Sequence, residues 1–289
     1  MTAPGVLLSI GHGYVSQRLA AVLRAVGWRV IATSRDPDAA AAFADAGVEG
    51  RVFPGAPLDD ALDAATHVLS SVPPRDGADP VLSAAGEAVA GSRHLRWVGY
   101  LSTTGVYGDH AGGWVDEDTP TDPGNPRARA RVAAEAAWRA TCDRAGLDLH
   151  VFRLAGIYGP GRSALNALRA GTARRIVKPG QVFSRIHVDD IASALFASMQ
   201  RPDPGGAVYN LADDLPASPQ DVVAEAARLL GITPPPEVPI EAAALSPMAA
   251  EFYAECKRVC NARIKARLGW RPAYPDYRDG LAAILAARG

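Results

Sequence analysis

The stretch Val6-Leu7-Leu8-Ser9-Ile10-Gly11-His12-Gly13-Tyr14-Val15-Ser16 decides the fold. Val6–Ile10 is a short, mostly apolar run that ends at a glycine, and it reads as a buried strand. Apolar residues then recur at helical spacing: Leu19, Val22, Leu23 and Val26 share one face over 19–26, and Gly27 stops the helix. Residues 29–33 make a second run rich in Val and Ile. Strand, glycine turn, helix and strand at this length form one βαβ unit, which requires parallel strands and a right-handed crossover.

Working outward, the alternation continues. Helices are expected at 38–46, 59–65 and 80–90, and strands at 67–72 and 95–101. Asn125-Pro126 opens a further helix: Asn accepts from orphan N–H groups and Pro suits the first helical position. Gly146 closes it, and 149–153 reads as another strand. The fold class is therefore α/β, a Rossmann-type doubly wound parallel sheet. Beyond Tyr158 prolines and loops become frequent, Pro234-Pro235-Pro236 among them, which suits a smaller C-terminal substrate lobe. Residues 1–158 are read as the dinucleotide-binding domain. Residues 159–289 are read mostly as the lobe, with segments around 183–212 returning to the Rossmann core.

Bulk properties narrow the partners. The chain has 289 residues, 48% of them hydrophobic, and a formal net charge of -1, so it can bury a large core and carries no footprint for nucleic acid or an anionic membrane. No apolar run approaches the ~18 residues of a membrane span. The first cation is Arg18, so no basic region precedes the first apolar run, and a cytoplasmic location is expected. Cys142, Cys256 and Cys260 do not suggest a disulfide framework; Cys256 and Cys260, four apart, are expected on one helix face in the core. The six histidines lack metal-ligand spacing, and no metal is expected. Lys178, Lys257 and Lys265 are the only lysines among 30 basic residues, so a lone Arg carries little information.

Two motifs point to a dinucleotide. Gly11 allows the sharp turn and Gly13 lets a pyrophosphate approach the backbone, where the amides of Tyr14 and Val15 open the helix and favour an anion. Ser16 replaces the third glycine of G-x-G-x-x-G. The plainer reading is a tight turn without a ligand. At the end of the second strand, about 20 residues on, an NAD enzyme places an acid against the ribose hydroxyls. Here stand Ser34 and Arg35, a hydroxyl and a guanidinium that suit a 2′-phosphate, so NADP(H) is favoured over NAD(H). The alternative is a surface Arg in an Arg-rich chain.

Three further segments, Leu101-Ser102-Thr103-Thr104-Gly105-Val106-Tyr107-Gly108-Asp109, Arg153-Leu154-Ala155-Gly156-Ile157-Tyr158-Gly159-Pro160-Gly161 and Arg185-Ile186-His187-Val188-Asp189-Asp190, resemble successive signatures of the extended short-chain dehydrogenase/reductase superfamily, the NAD-dependent epimerase/dehydratase group. The closing Asn261…Leu268-Gly269-Trp270 fits as well. The resemblance covers nearly the whole chain. It implies that Thr103, with Thr104 beside it, touches a reacting carbonyl. It also implies a Tyr-x-x-x-Lys acid/base pair, and there the chain departs: counting back from Glu135 puts Arg127 at the Tyr position and Arg131 at the Lys position. An arginine, with a pKa above ~12, hardly releases a proton.

Arg131 is expected to hydrogen-bond the nicotinamide ribose as the family Lys does. Tyr107 is the leading replacement proton donor, with packing as its alternative. Tyr158, Arg127 and Arg185 are candidate substrate contacts, with packing under the lobe the plainer reading of Tyr158, and His187 and Asp189 are expected mainly to join the lobes. The pattern implies an atypical oxidoreductase or epimerase-like enzyme acting on a small polar carbonyl or hydroxyl substrate. The alternative is an NADP(H)-binding redox sensor or scaffold without turnover. A small molecule is the expected partner, with a homodimer left open.

Overall fold

The structure, a computed structural model, describes residues 4–75 and 77–287. The first half alternates as the hydrophobic pattern requires: β1 (Val6–Ile10), α1 (Tyr14–Ala25), β2 (Arg29–Ser34), α2 (Pro37–Ala42), β3 (Glu49–Val52), α3 (Asp59–Ala64), β4 (His67–Ser70), α4 (Pro80–Gly91) and β5 (Trp97–Thr103). A 3₁₀ turn (Thr104–Tyr107), a two-residue β6 (Trp114–Val115), the long α5 (Pro126–Ala145) and β7 (Leu149–Leu154) follow. Helix starts share a local cause. Asp36-Pro37, Asp79-Pro80 and Asn125-Pro126 each place a side-chain acceptor over free amides and a proline where no amide is needed.

The second half holds β8 (Gly156–Tyr158), α6 (Ala164–Arg169), β9 (Arg175–Val177), β10 (Arg185–His187), α7 (Val188–Gln200), β11 (Ala207–Leu211), α8 (Pro219–Leu230), β12 (Glu237–Pro239), α9 (Pro247–Ala254), β13 (Arg258–Val259), α10 (Ala262–Leu268) and α11 (Tyr277–Ala286). The central sheet has seven strands in the order β11-β7-β5-β4-β1-β2-β3, paired parallel throughout. β11 pairs with β7, and the α7 residues Ile191 and Leu195 pack in one cluster with Leu19 and Leu23 of α1. Adjacent strand residues serve opposite faces: Leu7 joins that cluster, and Leu8 joins Val89 of α4 and Trp138 of α5. A third cluster is built on Leu165, Tyr277, Leu281 and Ile284.

One strand was not foreseen, and one expectation fails. β3 has no counterpart in the sequence reading because its residues are only half-buried and it edges the sheet on β2. Cys256 and Cys260 do not share a helix; they flank β13. The segment is drawn out by pairing with a distant loop, with His110 and Gly112 N–H donating to Cys256 O, and Cys260 N–H to Val115 O. Cys142 is buried in α5 as a free thiol.

Candidate active site

The glycine turn follows β1. Gly11 has φ +82°, a region costly for any residue with a Cβ, and a Cβ there would meet Val72 Cγ2 at 2.8 Å and Ser71 Oγ at 3.0 Å. Gly13 differs: its backbone is extended (φ -86°, ψ -165°), and a Cβ would meet nothing within 4 Å. It is the N-cap of α1, yet no side chain caps that helix and no acid stands in its first turn. The rule followed by α2, α4 and α5 is broken at this helix start, which leaves N–H groups and the positive end of the dipole facing open space. A pyrophosphate fits such a site. Burial lowers the His12 pKa to about 4, so the ring between the two glycines is neutral near pH 7.

At the end of β2, Ser34 Oγ accepts from Asp36 N–H at 3.1 Å. The Asp36 carboxylate is engaged as the cap of α2, accepting from Asp38 and Ala39 N–H. The Arg35 side chain is exposed, with no hydrogen bond or ion pair to the described residues.

A cavity of about 1050 Å³ opens beyond the C-terminal ends of β4, β5 and β7, between the sheet and α9. Thr103, Thr104, Arg127 and Arg131 all line it. Thr103 Oγ1 accepts from Gly105 N–H at 3.1 Å, and Thr104 Oγ1 donates to Leu154 O at 3.4 Å. Arg131 Nη1 donates to Tyr100 Oη at 3.0 Å and Leu101 O at 2.8 Å, which anchors α5 to β5. Arg127, one turn nearer the Asn125 cap, is exposed in the cavity and has no partner among the described residues. Gly11 and Gly13 do not line this cavity; they lie at the end of β1, the strand beside β4.

Tyr107 is elsewhere. It is 0% exposed, donates to Asn210 Oδ1 at 2.8 Å and accepts from Arg153 Nη1 at 3.0 Å. Arg153 in turn grips Glu135 through two contacts, Nη2–Oε2 at 2.8 Å and Nε–Oε1 at 3.2 Å. Burial raises the Tyr107 pKa, against the pull of Arg153. The hydroxyl lies under the cavity with its donor and one acceptor position engaged, which supports packing, the alternative reading of Tyr107, over proton donation. Tyr158 and Arg185 are likewise absent from the lining. Tyr158 Oη donates to Asp276 O at 3.4 Å, and Arg185 Nη1 donates to Phe183 O and Ala217 O, both at 2.9 Å. Both side chains are bonded to backbone carbonyls of the C-terminal half, away from the cavity lining. His187 Nδ1 accepts from Asp189 N–H, and Asp189 pairs with Arg18 at 2.6 Å, which ties α7 to α1.

Other lining residues escaped the sequence reading: Phe183 stacked on Phe252 at 4.0 Å, and the trio Asn125, Glu255 and Lys257. No periodicity marks them, and only the scarcity of lysine could have drawn attention to the last. Among the described residues no group of three or more His, Cys, Asp or Glu could hold a metal ion, and no helix is long and apolar enough to cross a membrane.

The family model of the NAD dependent epimerase/dehydratase family matches residues 10–212. The chain belongs to that family. Protein YeeZ of Escherichia coli (strain K12) is 31% identical over 240 residues, 78% of this chain and 84% of its own. A Streptomyces sp protein, 3-diazoavenalumate denitrifying reductase, is 33% identical over 183 residues, and the match spans 58% of each chain. Among solved structures, a functionally unknown conserved protein from Silicibacter pomeroyi superposes with a TM-score of 0.91 at 54% identity, covering 98% of this chain and 99% of that one. MoeE5, solved with UDP-glucuronic acid and NAD, superposes with a TM-score of 0.77 at 23% identity over 98% and 99% of the two chains. That likeness speaks to the fold the family shares.

Proposed function

We infer that the protein is an NADP(H)-dependent oxidoreductase of atypical type, acting on a small polar carbonyl or hydroxyl substrate. The observation that carries this reading is the uncapped start of α1 at Gly13, open where a pyrophosphate would sit, together with the unpartnered Arg35 one strand away. In that pose the amides of Tyr14 and Val15 would bind the pyrophosphate, and Ser34 and Arg35 the 2′-phosphate. Arg131 would reach the nicotinamide ribose: one of its nitrogens is bound to β5, and the guanidinium has further N–H groups to offer.

When bound, the nicotinamide would supply or accept a hydride. Thr103 and Thr104, at the end of β5, would orient the substrate carbonyl, and Arg127 would hold an anionic or strongly polar group of the substrate. Reduction is favoured over epimerisation because a relative at 33% identity is named a reductase. The removal of Tyr107 from the cavity favours a second reading, a sensor that binds NADP(H) without turnover. Calorimetry with NADPH and NADH, followed by turnover assays on a panel of aldehydes, ketones and 2-oxo acids, separates the two. Tight NADPH binding with reduction of a panel member supports the enzyme. Tight binding with no turnover supports the sensor, and no binding of either cofactor refutes both.

A further inference from the structure

With Tyr107 bonded beneath the cavity and an arginine at position 127, the cavity wall offers a proton source besides water ordered by the threonines. Lys257 Nζ donates to Gly108 O at 2.6 Å and to Glu255 Oε2 at 2.6 Å. The two side chains are only 11% and 16% exposed, so the pair is held in the wall. An ammonium has three donors and two are engaged, so one N–H has no protein acceptor among the described residues. Both residues line the same cavity as Thr103 and Arg127.

Hydrogen bonds tie the pair to its neighbouring elements. Glu255 Oε1 accepts from Asn125 Nδ2 at 3.2 Å, and Asn125 caps the helix that carries Arg127 and Arg131. Gly108, which takes one ammonium proton, ends the 3₁₀ turn that begins beside Thr103. Asp109 Oδ1 accepts from Cys256 N–H at 2.7 Å, and β13 pairs with β6 immediately after Lys257. Residue choice adds an independent argument. The chain spends arginine on nearly all its basic positions, yet keeps a lysine here. Lysine and tyrosine have ordinary pKa values of about 10.4 and 10, whereas arginine lies above about 12. A lysine can therefore give up a proton where a tyrosine would, and an arginine cannot.

We propose that Lys257 is the proton donor of the reaction, with Glu255 and Asn125 as its positioning residues; this rests on the reductase reading above. In the step, the carbonyl carbon gains a C–H bond from the hydride of NADPH and the C=O π pair moves onto oxygen. The third Lys257 N–H bond breaks as the new O–H bond forms. The products are the alcohol, NADP⁺ and a neutral amine, which regains its proton from water.

Three proteins test this: wild type, Lys257→Arg and Lys257→Ala, each checked for NADPH affinity by calorimetry. Lys257→Arg keeps the charge but cannot release a proton; its NADPH affinity should stay within threefold while kcat falls by about 10²–10⁴. In Lys257→Ala, added ethylamine should restore turnover in proportion to its concentration. A readout free of turnover comes from ¹⁵N-lysine NMR, where three lysines give three Nζ resonances. NADP⁺ should shift that of Lys257 and leave that of Lys265 in place. Lys257→Arg with kcat within threefold of wild type, no amine rescue, or an unmoved Lys257 resonance each overturns the donor assignment. Wild-type protein that binds no NADPH, or binds it and reduces nothing, fails at an earlier point. It overturns the reductase reading itself and the donor assignment with it.

Discussion

Gly13→Val separates cofactor binding from folding more cleanly than any other single change. The Gly13 backbone is extended, a region that valine occupies readily, and a Cβ there has no neighbour within 4 Å. The substitution therefore introduces no clash into the cofactor-free protein. It also restricts the unfolded chain, an effect worth about 0.4–1 kcal/mol in favour of folding. The space it fills is the one a pyrophosphate needs against the first amides of α1. Losing that contact should weaken NADPH and NADH alike by at least about a hundredfold, equivalent to about 2.7 kcal/mol. Gly11→Ala makes the contrasting control. Its φ of +82° and the 2.8 Å approach to Val72 predict a loss of at least about 1–2 kcal/mol in stability. Calorimetric titration and thermal melts on the two variants supply both readouts. A folded Gly13→Val protein with wild-type cofactor affinity would refute the placement of the pyrophosphate.

Other expectations follow from the same geometry. Arg35→Ala should remove most of a preference for NADPH, shifting the NADPH/NADH affinity ratio at least about tenfold, since a charge-assisted contact contributes about 1.5–3 kcal/mol; equal wild-type affinities for the two cofactors would refute it. Tyr107→Phe strips a partner from Asn210 and from buried Arg153, so melts should show a loss of about 1–3 kcal/mol, with kcat changed less than about tenfold. A larger fall in kcat at unchanged stability would return Tyr107 to the chemistry. Arg127→Ala should raise KM for anionic substrates more than it lowers kcat, and the opposite split would make Arg127 part of the proton transfer. Acid should destabilise the fold through two core histidines: burial lowers both His67 and His150 to about 4 from an unfolded value near 6.5. The unfolded chain binds those protons first, so the stability present above pH 6.5 is lost as pH falls toward 4, on the order of 3 kcal/mol for each ring. Neither His150 ring nitrogen has a hydrogen-bond partner among the described residues, so His150→Phe should flatten the pH dependence in melts, and an unchanged slope would exclude that ring.

What the sequence disclosed, and what it hid, follows the range of the interactions involved. β1, the glycine turn, α1 and β2 were legible because their causes are local: apolar runs, helical spacing, and glycines at the turns. The Asn125-Pro126 helix start was legible for the same reason, since a cap acts within three residues. β3 was hidden because an edge strand of half-buried residues carries no apolar run. Cys256 and Cys260 misled because four-residue spacing is a helical signal only if the backbone is free to coil, and here it pairs with residues 110–115. Tyr107 misled in another way. Its motif fixes its position along the chain, but whether the ring rises into the cavity or drops into the core is decided by Asn210 and Arg153, far away in sequence.

That core network also explains how the reaction machinery can change while the fold stays. Beneath the cavity, Ser102 donates to Glu135, Glu135 pairs with Arg153, Arg153 bonds Tyr107, and Tyr107 bonds Asn210, whose N–H donates to Glu117. These links join β5, α5, β7 and β11 at the strand ends. Each group is shielded from water, so removing one partner leaves another buried and unpaired, at a cost of about 1–3 kcal/mol or more where charge is involved. The layer above faces open space. Arg127 makes no hydrogen bond or ion pair with a described residue, so exchanging that side chain strips no polar partner from a buried group. Selection on chemistry therefore meets little resistance at the cavity face and strong resistance one layer below. Lys257, on its Glu255 and Gly108 mount, belongs to that cavity face, whereas Glu135 and Arg153 belong to the buried network beneath it.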